Sequence, residues 1–514
     1  MFWNKKKAEH KLVCIGDSIT QGFQNGGIYR TELSYPAFLA DCFEPPGNFR
    51  IPRFSAQAGI PLNLEVLIRG LSDIYGNHLN WQQYLPAALH LYSTIRRIKH
   101  YWEENPEKLR RKQNCPYHNQ SVWGFTIKDA WVMTEKKCRD YIENNRTSYS
   151  IFDILPDHAM YITARCVLNP TLGKTHQDYN MIDNVKRLEE NGGIENLIVY
   201  MGHNNIIGAI TSLKFKYSEE YRLNKLPAKR DYTVYRPEHF EKDYRRLAEK
   251  VSKIGVQRIF TATIPYVTIP PAARGVNADL SRERGGYFDY YTHFWIWDED
   301  FDPEVHPHLT REQAIEMDQV VDEYNKIIRD VASEYGWIVV PVHHYVNSIA
   351  YRRKNANISI PFPKGFTNAL KRNPDTRHFV DNPDQFRLST EYLQLDQETG
   401  DVRRGGIFSL DGIHPSTIGY GLMANLFYKT MKKHGVHFAK PLDWDYIIAN
   451  DTLVTDPPYL LLDLRDLLHF LSMGHREKFT ELGTNLLMQI MELFSYRNGR
   501  QQSSQPSQTV DTGS

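Results

Sequence analysis

Short, unbroken apolar runs recur along the chain, and each closes on glycine, proline or a polar pair. Leu12 to Ile15 gives way to Gly16-Asp17, Leu197 to Met201 to Gly202, Arg258 to Ile264 to Pro265, and Gly336 to Val340 to Pro341. Runs this short and without alternation read as strands buried on both faces, as in a parallel sheet. Asn48 to Phe54 reads as a further strand. Between the runs the apolar spacing becomes helical: Ser34 to Phe43, halted by Pro45-Pro46-Gly47, then Met181 to Glu190, Pro237 to Ile254, Thr310 to Tyr335 and Thr417 to Lys432. Strands alternating with helices predict an α/β protein, three-layer α/β/α with a five-stranded parallel sheet. In such sheets ligands bind beyond the carboxyl ends of the strands.

The pattern also divides the chain. Residues 1–72 and 194–434 carry the strand and helix alternation of a core. Residues 73–193 are aromatic and mostly helical, an insertion expected to pack as a cap or side domain, and 266–308 form a second insertion. Leucine-rich amphipathic patterns at Tyr459 to Met473 and Arg476 to Tyr496 make 435–498 a helical extension, and 499–514, rich in Ser and Gln, reads as a disordered tail.

Two strand ends and one loop that leads into the helix Thr417 to Lys432 carry chemistry. Ser18 follows Gly16-Asp17 just past the first strand. A serine there caps a helix or, given a base, acts as a nucleophile. Ser409-Leu-Asp411-Gly-Ile-His414-Pro415-Ser416 supplies a carboxylate and an imidazole three apart, so that Asp411 can orient His414 as a base. Gly202-His203-Asn204-Asn205 follows the run Leu197 to Met201, and an Asn amide at that edge can donate to a developing oxyanion.

In this order, Gly16-Asp17-Ser18-Ile19, Gly202-His203-Asn204 and Asp411-Gly-Ile-His414-Pro415-Ser416 resemble the SGNH, or GDSL-type, serine hydrolase family. The resemblance implies a flavodoxin-like core and an ester-cleaving enzyme with no cofactor and no metal. It implies Ser18 as nucleophile, His414 as base and Asp411 as its orienter. The oxyanion donors it implies are the Ser18 N–H, a glycine N–H and the Asn204 amide. Gly59, in Phe54-Ser-Ala-Gln-Ala-Gly59, is the candidate glycine, although the Asn that usually precedes it is absent. His203 and Asn205, which stands where the family favours Asp, are candidate substrate contacts. The substrate is then a small-molecule or lipid ester, and transfer of the acyl group to an acceptor other than water would use the same triad. The serine does not sit in a G-x-S-x-G elbow, since position 20 is Thr.

Composition narrows the rest. With 41% hydrophobic and 24% charged residues in 514, the chain is globular in character, and a net charge of +1 gives no basis for nucleic-acid binding. Cys14, Cys42, Cys115, Cys138 and Cys166 are scattered, which predicts reduced thiols in a cytoplasmic protein. Asp298, Asp300, Asp302 and Glu304 alternate as in a calcium loop, but Pro303 stands at the turn glycine and Leu309 at the twelfth position, so the loop reads as solvated. No apolar run spans a membrane. Arg96, Arg97, Lys99, Lys108, Arg110, Arg111 and Lys112 outnumber Glu103, Glu104 and Glu107; the cluster reads as a solvated helix face, with peripheral contact to an anionic surface, phospholipid or nucleic acid, as the alternative. A non-catalytic scaffold that binds a partner or membrane through its insertions is the rival expectation.

Overall fold

The structure is a computed structural model, and it describes residues 8–460 apart from 45–47, 55, 105–110, 112–113, 146–157, 221–224, 228–229, 277–285, 294–295, 297–300, 350–361, 378–393, 396–401, 404–405 and 459. The leucine-rich patterns beyond Leu460, the tail, Lys108, Arg110, Lys112, Asp298 and Asp300 lie outside the described residues.

The first strand, β1 (Val13–Gly16), turns into the one-turn helix α1 (Ser18–Gln21). The two-residue strand β2 (Gly27–Ile28), helix α2 (Tyr35–Asp41) and strand β3 (Ile60–Pro61), antiparallel to β2, follow. Then come α3 (Leu64–Tyr75), α4 (Tyr84–Glu104), α5 (Asp129–Val132), α6 (Glu135–Asn144), α7 (Ala159–Leu168) and α8 (Met181–Glu190). The chain re-enters the sheet at β4 (Asn196–Tyr200), leaves through α9 (Gly208–Ser212) and α10 (Pro237–Ser252), and returns at β5 (Arg258–Ala262). Within the second insertion β6 (Ala273–Gly275), β7 (Tyr290–His293) and β8 (His308–Thr310) make a small antiparallel sheet. The long helix α11 (Arg311–Tyr335) leads to β9 (Ile338–Val340), and α12 (Val342–Ile349), α13 (Lys364–Arg372), α14 (Thr417–Lys433), α15 (Trp444–Ala449) and α16 (Thr452–Thr455) complete the chain.

The central sheet has four parallel strands in the order β1-β4-β5-β9, with Val13 beside Leu197, Leu197 beside Ile259 and Phe260 beside Ile338. The expected fifth strand is a correction: residues 48–54 form no strand. Pro52 has no N–H to give a ladder, and the Arg50 N–H goes to His118 Nδ1 at 2.9 Å. The outer edge of β1 is taken instead by residues from the first insertion. Cys14 N donates to His118 O at 2.8 Å, Gln120 N to Cys14 O at 2.9 Å and Val122 N to Gly16 O at 3.2 Å, a short parallel ladder.

Because successive strand residues point to opposite faces, the apolar runs split into two cores. Val13, Ile15, Leu197 and Val199 join one buried cluster with Leu67 of α3, Ile95 of α4, Val167 of α7, Val185 of α8, Leu247 of α10 and Val321 of α11. Cys14, Ile198, Tyr200 and Phe260 join the other with Leu39 of α2, Phe366 of α13, Phe427 of α14 and Ile448 of α15. Helices thus cover both faces, and the architecture is three-layer α/β/α. The helices of 73–193 share a core with β1 and β4.

Candidate active site

The carboxyl ends of β1 and β4 lie side by side, Gly16 opposite Tyr200. Past β1 the chain must turn at once, and Gly16 permits it: a Cβ there would stand 2.3 Å from Thr20 Cβ. Asp17 caps α1 by accepting the Ile19 N–H at 3.2 Å. Ser18, the first residue of that helix, is buried, and as a first-turn donor its N–H has no partner in the helix.

The loop after α1 grips the segment that carries Asp411 and His414. Asn25 N donates to Ser409 Oγ at 3.0 Å, Leu410 N donates to Asn25 Oδ1 at 2.9 Å, and Tyr420 OH donates to Phe23 O at 2.8 Å. The Phe23 ring lies 4.4 Å from the His414 ring, and Phe23 N donates to Ser18 O at 3.0 Å. Residues 18 and 414 are thereby held through one intervening aromatic residue. Among the described residues no hydrogen bond joins Ser18 Oγ to His414; contacts of this kind commonly tighten only when substrate is bound.

Asp411 is the most heavily coordinated group in the site. Its Oδ1 accepts from Ile413 N and His414 N, both at 2.8 Å, and its Oδ2 accepts from Gly26 N and His414 Nδ1, both at 3.1 Å. Burial by itself raises the carboxyl, but the adjacent imidazole and the backbone N–H groups outweigh it and hold Asp411 below the usual carboxylate range. With Nδ1–H committed to the carboxylate, Nε2 of a neutral His414 is the lone-pair nitrogen, the form a general base needs.

Beyond β4, Gly202 at φ +127° turns the chain into the single turn 203–205. Half-buried Asn204 donates from Nδ2 to Phe125 O at 2.9 Å, leaving its second amide hydrogen uncommitted by that bond. His203 is turned inward: its Nδ1 lies 2.7 Å from Asp17 Oδ2, both groups are buried, and its ring stands edge-on to Tyr200 at 4.6 Å. It therefore ties the loop after β4 to the turn that carries Asp17 and Ser18. Asn205 is fully buried and accepts the Ile127 N–H on Oδ1 at 3.3 Å. It shares the wall of a small cavity with Asn204, Thr126, Tyr232, Tyr235 and Arg230. Arg230 forks onto Asp129 there, with Nη2 to Oδ1 at 2.7 Å and Nη1 to Oδ2 at 2.9 Å.

Gly59 is built into a different arrangement. Its N–H donates to Ala56 O at 2.9 Å and its carbonyl accepts from Trp102 Nε1 at 2.7 Å. Another glycine, Gly124, follows the segment that runs along β1. Residues 118–122 run along β1, Trp123 N donates to Gln21 Oε1 at 2.7 Å, and Gly124 follows at φ +83°, next to the Phe125 carbonyl that holds Asn204. The apolar-run pattern could not find it, because Asn119-Gln120-Ser121 is polar. The one signal in the sequence is Gly124 itself, isolated between Trp123 and Phe125.

The chain matches no family model and no curated protein. Among solved structures it is similar to the lipase/acylhydrolase from Enterococcus faecalis, at 14% identity over 49% of this chain and 70% of that one, with a TM-score of 0.18. It is also similar to LAE5, an alpha/beta hydrolase enzyme from the metagenome of Lake Arreo, Spain, at 14% identity over 83% of this chain and 96% of that one, with a TM-score of 0.24. At these scores neither likeness bears on activity.

Proposed function

We propose that the protein is a serine acyl hydrolase of the SGNH type that cleaves carboxylic esters. His414 Nε2 takes the Ser18 hydroxyl proton, and Ser18 Oγ forms a bond to the ester carbonyl carbon. The electron pair displaced onto the carbonyl oxygen is met by the Ser18 N–H, the Asn204 amide and a glycine N–H. We assign that last donor to Gly124, since the Gly59 N–H is already engaged by Ala56. Collapse of the intermediate returns the proton from His414 to the departing alkoxide, and a water deprotonated by the same nitrogen then releases the acid from Ser18.

The observation that carries this reading is the buried Asp411–His414 pair, fixed in tautomer by Oδ2 and clamped through Gly26 and Phe23 to the turn that bears Ser18. The five cysteines are unbonded and four are buried, which supports a cytoplasmic setting. Among the described residues no helix is long and apolar enough to cross a membrane. A fluorophosphonate serine probe tests the reading. Wild type is expected to label, Ser18→Ala and His414→Ala are not, and p-nitrophenyl esters of increasing chain length then size the acyl pocket. A folded wild type that takes no label, with no ester turned over, would favour the binding scaffold.

A further inference from the structure

Helix α4 has two apolar faces, and the fold uses one. Ala87, Leu91, Ile95, Ile98 and Trp102 point into the core and are buried. On the outside, Trp81 in the turn just before the helix is 77% exposed, Leu85 54% and Leu89 52%. These three follow one another at four-residue spacing and stand outside the core, where large apolar side chains in water are unfavourable.

The charge pattern says what kind of surface suits them. At 100° per residue, Leu85, Leu89 and Arg96 fall within about 40° of one another around the helix, so the apolar stripe runs into a cation on the same face. Arg96 and Arg97 are both exposed, whereas Lys99 is buried against Glu103 at 3.7 Å. From Gly76 to Trp102 there is no Asp or Glu, and from Gly76 to Ile95 no Lys or Arg either. An uncharged stretch with an exposed tryptophan and leucines, continued by exposed arginines, is the layout of a helix lying in a lipid headgroup layer. The indole and leucines would enter the acyl boundary while the guanidinium groups meet phosphates.

We propose that this outer face of α4, Trp81, Leu85 and Leu89 with Arg96 and Arg97, seats the protein on an anionic phospholipid surface. The proposal does not depend on the chemistry at Ser18, and the Ser18→Ala protein is expected to bind as wild type does.

Sedimentation of the full chain with vesicles of phosphatidylcholine, alone or mixed with phosphatidylserine, tests it. Wild type is expected to pellet with the mixed vesicles, less so as salt is raised. Leu85→Ser/Leu89→Ser should bind about tenfold or more weakly. Arg96→Gln/Arg97→Gln should lose the preference for phosphatidylserine and its salt dependence while retaining residual binding. Circular dichroism and thermal melting of each variant separate lost binding from lost folding. The proposal is overturned if wild type stays in the supernatant with both vesicle types, or if the leucine variant binds as wild type. It is equally overturned if wild type proves to be a dimer that the leucine variant dissociates and that ignores vesicles, since the face would then be covered by a second copy.

Discussion

Asp411 directs both carboxylate oxygens to N–H donors, three from backbone and one from an imidazole. That set fixes the carboxylate before it fixes the histidine. In Asp411→Asn the amide nitrogen would face donors, and His414 would be held in the opposite tautomer or released. The expected result is a fall in kcat of about three to four orders of magnitude with little change in KM, measured on a short-chain p-nitrophenyl ester. An unchanged kcat would remove Asp411 as the group that orients the base. Next to this pair, Asp17 and His203 form a second buried carboxylate–imidazole contact. The sequence offered His203 as a substrate contact because it precedes Asn204. Its Nδ1 faces Asp17, 186 residues earlier, a partner that no local spacing could reveal.

At the scale of elements, two glycines with similar backbones differ in what surrounds them. Gly59 has φ +79°, and a Cβ there would stand 2.5 Å from Ile28 O. Gly124 has φ +83° at the end of the segment beside β1. Both resist substitution, since a side chain at such φ costs about 1–2 kcal/mol. Gly59→Ala is expected to lower stability and leave kcat in the surviving folded protein near wild type. Gly124→Ala is expected to lower kcat by tenfold or more, because removing or misaiming one oxyanion donor costs about 3 kcal/mol of barrier. Parallel melting curves and steady-state kinetics separate the two. If Gly59→Ala loses kcat and Gly124→Ala keeps it, the assignment reverses. The elements themselves were largely legible: Met181–Glu190 is a helix, Thr310 caps the helix that ends at Tyr335, and the runs ending at Gly16, Gly202, Pro265 and Pro341 hold sheet strands. The run 48–54 was not, because Pro52 and the exchange between Arg50 and His118 remove it from the ladder.

Across the whole molecule, the candidate site joins segments 384 residues apart. Asn25 is central: its N–H meets Ser409, its Oδ1 accepts from Leu410, its Nδ2 donates to Glu65 Oε2 at 2.9 Å, and its φ is +53°. Asn25→Ala strands two of those partners and sits poorly at positive φ, so urea unfolding should show a loss of about 2–4 kcal/mol. A loss under half a kcal/mol would mean that this loop is not what holds the segments together. Asp243 of α10 gives a pH test. Burial pushes its carboxyl up to about 6, and Oδ2 has no hydrogen-bond partner among the described residues. The native state then holds this proton more tightly than the unfolded chain. Its stabilising effect is full below the unfolded value near 4 and is lost as pH rises through about 6. Asp243→Asn should therefore be more stable than wild type at pH 8, by on the order of 2 kcal/mol, and the gain should shrink towards pH 4. A gain equal at both pH values would point to a cause other than ionisation.

What the sequence determined by itself is local. Apolar runs without alternation made parallel strands, proline and glycine ended them, and Asp411 and His414, three apart, could meet because one turn of chain suffices. The remaining choices needed partners distant in sequence. The tertiary structure chose which segment covers the edge of β1, which glycine stands beside Asn204, and that His203 faces Asp17 across 186 residues. The physical reason is that local propensity acts over a few residues, whereas an edge strand, a buried carboxylate and an unpaired N–H are satisfied by whichever group the packing of the whole chain delivers.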